Sequence, residues 1–301
     1  MERILLFFRL SRPHFLLGVA VLYALGAGVA KFLGIPLDVK LYLIGQAWVT
    51  LLQLGAQYLN EYFDYPMDLI NHNRTWLTGG SGALGNGKLP LETALVAAVT
   101  CMAGAAALAV LMLATLSLPP AVYLIMTAAF LVAVFYSAPP LRLKCSGYGE
   151  LTVSILVNFL VPIYALLFQA GEVHRLALMG TLPLCSLMFA MLIVFELPDY
   201  VTDLQQGCGT LLGRAGWQKT MLLHNLAVIF AYLILLLALA MGMPRAVALP
   251  AFLMIPLAGL QVWMMRKVEA GAKPDWKKLT LVALAHYMGM VYLITYSFWM
   301  N

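Results

Sequence analysis

Apolar runs of about twenty residues recur along the whole chain, separated by short polar stretches. A helix of about 20 apolar residues crosses the roughly 30 Å hydrocarbon core of a bilayer. In lipid, backbone N–H and C=O groups find partners only inside a helix or a closed barrel. Runs this long therefore read as helices. They predict spans near 14–33, 40–60, 92–114, 119–136, 151–169, 177–197, 219–241, 246–264 and 279–299. Only 10% of the 301 residues are charged, against roughly 25% in a soluble domain. A soluble fold could not hide this much apolar surface. Arg3, Arg9 and Arg12 precede the first run, which is too long for a signal-peptide core and lacks an A-x-A site. It reads as the first span.

The basic residues orient these spans. The N-terminus and the loops after the second, fourth, sixth and eighth spans hold fourteen of the 18 Lys and Arg. Positive loops stay in the cytoplasm. Eleven of the 13 acidic residues fall on the same side, all but Asp38 and Glu172. Orientation does not explain that excess, because acidic residues contribute little to it. A site on the cytoplasmic face does. The expected fold is an all-α integral membrane protein in a plasma or inner membrane. It forms one domain over residues 1–301, a bundle of about nine transmembrane helices around a central cavity open to the cytoplasmic face.

The site is expected where carboxylates cluster. Gln53, Gln57, Asn60, Asp64 and Asp68 advance by steps of three and four, so they share one helical face. A polar helix end meeting headgroups explains one or two such residues, but five poorly. Glu196, Asp199 and Asp203 repeat the spacing at the end of the sixth span, with Pro198 expected to kink or loosen the helix. Two converging carboxylate faces repel unless cations lie between them. Oxygen-only ligands suit Mg²⁺ or Ca²⁺, and Mg²⁺ favours a few carboxylates plus substrate phosphates. Asn60, Asp64, Asp68, Glu196, Asp199 and Asp203 are the candidate metal ligands, with a phosphate ester or diphosphate as substrate.

Cationic partners come from other loops. Arg142 and Lys144, in the segment Tyr136–Glu150, are candidate phosphate ligands, as is Arg74. Gly79, Gly80, Ser81 and Gly82 could present backbone amides to an anion. His72 could position a second substrate. His14, His224 and His286 read as packing or hydrogen-bonding residues, and Asn158 as facing the cavity or bonding another helix. The net charge of +5 comes with no basic run interleaved with aromatics, so no nucleic acid is expected. Cys101, Cys145, Cys185 and Cys208 are scattered without a C-x-x-C pair, and neither a metal site nor a disulfide framework is expected from them.

The Asn60–Asp68 cluster resembles the N-D-x-x-D-x-x-x-D motif of the UbiA superfamily of intramembrane prenyltransferases, and Asp199–Asp203 resembles its D-x-x-x-D motif. Arg12-Pro13, the Tyr136–Glu150 segment and the long loop after the second span also match. Thr78-Gly79-Gly80-Ser81 and the segment from Tyr136 look most like 1,4-dihydroxy-2-naphthoate polyprenyltransferases. The resemblance implies Mg²⁺-dependent transfer of a polyprenyl group from a polyprenyl diphosphate to an aromatic acceptor such as a dihydroxynaphthoate, in menaquinone-type quinone biosynthesis, with the prenyl tail among the helices or in membrane lipid. It assigns catalysis to Asp64, Asp68, Asp199, Asp203 and Tyr136, and substrate binding to Asn60, Arg74, Ser81, Arg142 and Lys144. Tyr136 would stabilise an allylic cation through its ring or orient the acceptor; an interfacial anchor is its plainer role. Two departures stand out. Glu61 replaces the second-position Asp, and Gly207-Cys208-Gly209-Thr210-Leu211 lacks a lysine that relatives often place before Thr-Leu, leaving Arg214 or Lys219 to stand in. A cation-coupled secondary transporter and a non-catalytic isoprenoid-binding relative are the competing readings.

Overall fold

The computed structural model describes residues 2–85 and 87–301. Among these residues it is all-helical. Seven helical segments are long and apolar enough to cross a membrane. They are α2 (Pro13–Phe32), α4 (Leu91–Thr115), α6 (Gly149–Ala170), α7 (Arg175–Glu196), α10 (Trp217–Ala240), α11 (Arg245–Glu269) and α12 (Trp276–Met300). Between them lie α3 (Val39–Ile70) and the shorter apolar α5 (Pro120–Phe135). Three short α-helices, α1 (Glu2–Leu10), α8 (Tyr200–Gln205) and α9 (Leu211–Ala215), and a 3₁₀ turn at Leu143–Ser146 complete the described residues.

The long helices fall where the apolar runs place them, with two informative differences. Helix α3 was expected to end near residue 60 but continues to Ile70. Asp38 caps its start by accepting the amides of Lys40 and Leu41. Pro66 sits inside its last turns, where the one backbone bond it removes is tolerated. The whole first acidic motif is therefore helical. At the second motif the helix loosens into a turn at Pro198, as expected of a proline there. Helix α7 stops at Glu196 and α8 begins at Tyr200, so Glu196, Asp199 and Asp203 do not share one continuous helical face.

Packing is close where side chains are small. Gly26 of α2 lies against Pro162 and Ala165 of α6, and a Cβ there would overlap the Pro162 carbonyl. Small residues of this kind let membrane helices approach backbone to backbone. Helix α6 carries a π-helical turn at Leu156–Leu160. It turns the buried Asn158 toward Tyr287 of α12, whose hydroxyl donates to it at 2.6 Å. Away from the cavity, His224, Gln261, His286 and Tyr232 form a hydrogen-bonded chain joining α10, α11 and α12. These two histidines have the hydrogen-bonding role expected of them. Ile4, Leu5 and Phe8 on α1 are exposed, as befits a helix lying at a membrane interface.

The cysteine expectation is corrected. Cys145 and Cys208, 63 residues apart in sequence, form a disulfide. No spacing rule could show it, because the pairing exists only after the fold brings two loops together. Cys101 and Cys185 are free.

Candidate active site

A cavity of about 380 Å³ runs into the bundle from the end where both acidic motifs meet. On α3 its lining extends from Asp68 to Trp48, twenty positions, or about 30 Å at the helical rise. Its deeper walls are apolar: Leu22, Val49, Leu52, Val157, Met188 and Leu284. Its mouth is polar, lined by Asn60, Asp64, Asp68, Tyr136, Lys144, Glu150, Glu196, Asp199 and Asp203.

The extended α3 holds Asn60, Asp64 and Asp68 one turn apart. The Asn60 amide donates to Asp64 and to the Ser137 hydroxyl. Lys144 reaches across from the loop after α5 and pairs with Asp64. Its backbone amide donates to the Tyr136 carbonyl at 2.9 Å, so lysine and tyrosine are set together. Opposite, the Asn71 amide donates to Asp199 at 2.6 Å and ties the end of α3 to the second motif.

Burial decides the electrostatics. Desolvation pushes the Asp203 carboxyl up to about 7, against the pull of Lys144. It pushes Asp199 up to about 6, against the Asn71 hydrogen bond and Lys144. Lys144 itself is desolvated, yet Asp64 and Asp203 raise its pKa above the ordinary value. Burial thus favours the neutral acids at the mouth, and a divalent cation seated among them would offset that cost of ionisation.

The donor set fits Mg²⁺. It is all oxygen, spread over two facing elements, and Glu196 Oε2 is buried without a hydrogen-bond partner. Among the described residues no three His, Cys, Asp or Glu side chains come close enough to hold an ion by themselves. Mg²⁺ sites built from one or two carboxylates and completed by substrate phosphates do not need such a cluster.

Three proposed substrate ligands lie elsewhere. Ser81 is buried, and its amide and hydroxyl both donate to Glu61, at 2.7 and 2.6 Å. Arg74 donates to the Gly80 carbonyl at 2.7 Å and is folded into the Gly-rich loop. Arg142 is exposed at a left-handed turn. None of the three lines the cavity. Loop composition hinted at anion binding, but side-chain direction assigns Ser81 and Arg74 to building the loop. Gly79 and Gly80 do line the cavity. His72 lies instead in a groove with Lys273 and Lys277.

Other residues were missed. Glu61 anchors the Gly-rich loop and pairs with Arg12 from the start of α2. Glu150 lines the mouth. Its Oε1 accepts the Leu211 amide at 3.2 Å, and its Oε2 is buried without a partner. The signal was available, since Glu150 is the one acidic residue between Glu92 and Glu172. His14 also lines the cavity, with Nε2 unpartnered. Neither suggested replacement for the missing lysine reaches the cavity. Arg214 donates to the Gly209 and Cys145 carbonyls, and Lys219 is exposed.

The sequence pattern of the UbiA prenyltransferase family matches residues 15–284. The chain is 24% identical over 268 residues to a 1,4-dihydroxy-2-naphthoate octaprenyltransferase of Bacillus subtilis, covering 89% of this chain and 75% of that protein. It is 28% identical over 213 residues to a digeranylgeranylglyceryl phosphate synthase of Thermococcus gammatolerans, covering 69% of each. The solved structure of a UbiA homolog from Archaeoglobus fulgidus bound to GPP and Mg²⁺ superposes with a TM-score of 0.66 at 15% identity, over 96% of this chain and 99% of that one. That likeness establishes a shared fold.

Proposed function

The chain belongs to the UbiA prenyltransferase family, and from that premise we propose that it transfers a polyprenyl group from its diphosphate to an aromatic acceptor at the mouth of this cavity. The observation that carries the proposal is the meeting of two acidic motifs and Lys144 at the polar end of a deep apolar cavity. A prenyl diphosphate has the same polarity, a compact anion joined to a long hydrocarbon.

In this reading Asp64, Asp68, Asp199 and Asp203, with Asn60 and Glu196, are the residues that would hold Mg²⁺. Bound Mg²⁺ supplies positive charge that stabilises the leaving diphosphate. Lys144 adds a charge-assisted contact to a phosphate oxygen. The bond between the allylic carbon and the diphosphate oxygen breaks, and its electron pair leaves with the diphosphate. A ring carbon of the acceptor forms the new C–C bond and sheds its proton. The Tyr136 ring faces the developing allylic cation. Apolar walls below the mouth bury the tail and keep water from the cation.

The bundle is read as nine spans, counting α3 and α5, with the mouth on the cytoplasmic side. The basic loops support that orientation. Menaquinone-type chemistry, with a dihydroxynaphthoate as acceptor, draws support from the Bacillus subtilis relative and from Thr78–Ser81. A coupled transporter fits less well, because transporter sites lie near the midplane, whereas the carboxylates here gather at one end of the cavity.

The test is turnover. Purified protein in lipid nanodiscs is given Mg²⁺, geranylgeranyl or longer prenyl diphosphates, and a panel of aromatic acceptors including 1,4-dihydroxy-2-naphthoate. A prenylated product detected by mass is the expected result. Folded protein that yields no product with any acceptor would overturn the reading in favour of an isoprenoid-binding relative.

A further inference from the structure

The Cys145–Cys208 bridge joins two loops that both end in the site. Cys145 directly follows Lys144. The Cys208 amide donates to the Asp203 carbonyl at 2.9 Å. A short path therefore runs from Lys144 through the disulfide to Asp203, and Lys144 faces Asp64 and Asp203 across the cavity mouth. Two weaker ties run beside it. The Arg214 guanidinium donates to the Gly209 carbonyl at 2.9 Å and to the Cys145 carbonyl at 3.4 Å. Glu150 accepts the Leu211 amide. These ties do not depend on the sulfur atoms.

We propose that the Cys145–Cys208 disulfide is a positioning element for Lys144 and makes diphosphate binding responsive to thiols. This rests on the prenyl-transfer reading. With the bridge closed, Lys144 is held at the mouth beside both acidic motifs. A dithiol reductant opens it: one reductant thiolate attacks the Cys145 sulfur, the S–S bond breaks, and Cys208 leaves as thiolate. The second reductant thiol resolves the mixed disulfide. Two electrons and two protons pass to the protein, and the reductant ends as a disulfide. Cys145 is half-buried and Cys208 buried, so attack comes at Cys145. The opened loops keep the Arg214 and Glu150 ties. Lys144 gains freedom while the fold persists. A cytoplasmic mouth would meet glutathione and thioredoxin-type thiols, under which disulfides are seldom permanent.

The experiment uses the full chain in nanodiscs, oxidised with diamide or reduced with a phosphine. Alkylation followed by intact mass counts free thiols: two in the oxidised protein, Cys101 and Cys185, and four after reduction. Reduction is expected to raise KM for the prenyl diphosphate about tenfold, the worth of one charge-assisted contact, with kcat changing less than KM and reoxidation restoring both. Cys145→Ser and Cys208→Ser should match the reduced protein and ignore reductant. A Cys101→Ser/Cys185→Ser double variant should keep the full response. Equal donor KM in both states, with mass showing that the bond opened, would overturn the proposal. So would four alkylated thiols after oxidation. If no acceptor gives product, the prenyl-transfer reading fails separately. Binding of a prenyl S-thiolodiphosphate to the two redox states then decides the bridge's role: tenfold weaker binding on reduction supports it, and equal binding ends it.

Discussion

Glu61 is one of two places where this chain departs from the motifs it resembles, and its longer arm accepts from three donors on Arg12 and Ser81. Oε1 accepts from the Arg12 guanidinium and from the Ser81 amide, and Oε2 from the Ser81 hydroxyl. The Glu61 side chain is 3% exposed and that of Arg12 16%. Glu61→Ala would leave a desolvated guanidinium unpaired and a buried amide without an acceptor. Breaking a buried pair costs about 3–5 kcal/mol, and orphaning an amide about 1–3 kcal/mol. Residual exposure of Arg12 lets water recover part of that, so the working figure is about 4 kcal/mol. In a chain of this size that lowers the melting temperature by about 10 °C, read by tryptophan fluorescence in detergent. Glu61→Gln separates charge from shape. Its amide oxygen can accept both Oε1 bonds while its NH₂ donates to the Ser81 hydroxyl, so only the counter-charge is lost, about 2 kcal/mol. Both variants should raise donor KM, because Gly79 and Gly80 ride on the same loop and line the cavity. An alanine variant melting within about 2 °C of wild type, with unchanged donor KM, would refute the claim that Glu61 anchors the loop.

Three further outcomes are expected. Asp68→Ala and Asp199→Ala, or chelation by EDTA, should reduce turnover by at least about 100-fold; full activity would remove the metal assignment. Gly80 adopts φ +78°, and a Cβ there would overlap the Asp68 carboxylate. Gly80→Ala should therefore raise the Mg²⁺ concentration for half-maximal rate about tenfold, and an unchanged Mg²⁺ titration would show that Asp68 is not held by this contact. Tyr136→Phe keeps the ring and should hold kcat within about threefold, whereas Tyr136→Leu should lose about tenfold or more; equal losses would assign the role to the hydroxyl.

The spans were legible because lipid imposes one requirement on every residue of a segment. The far end of α3 was not, because hydropathy stops at Asn60 while helical hydrogen bonding does not. The steps of three and four from Gln53 to Asp68 nevertheless implied a continuous helix, which the structure bears out. The second motif misled in the opposite sense. Its spacing suggested one face, but Pro198 cannot donate the bond that would carry α7 through to Asp203. Ser81, Arg74 and Arg142 show a different limit. Sequence reports that a loop is rich in glycine and cations, but the direction of each side chain depends on a partner elsewhere, here Glu61 for Ser81 and the Gly80 carbonyl for Arg74.

The Gly207–Leu211 segment shows why reading residues in register with relatives can mislead. Its absent lysine pointed to Arg214 or Lys219 as nearby substitutes. Arg214 instead spends its donors on two backbone carbonyls, and Lys219 faces solvent. The cation beside Asp203 is Lys144, from a loop some sixty residues earlier. What occupies the expected lysine's position is a cysteine bonded to Lys144's own neighbour. Charge at the mouth is therefore set by which loops meet, and position 208 contributes by fixing where another loop's lysine stands. Cys208→Lys separates these roles. The added lysine supplies a charge but cuts the bridge. If local charge alone matters, donor KM falls; if the placement of Lys144 matters, KM rises, and this structure predicts the rise.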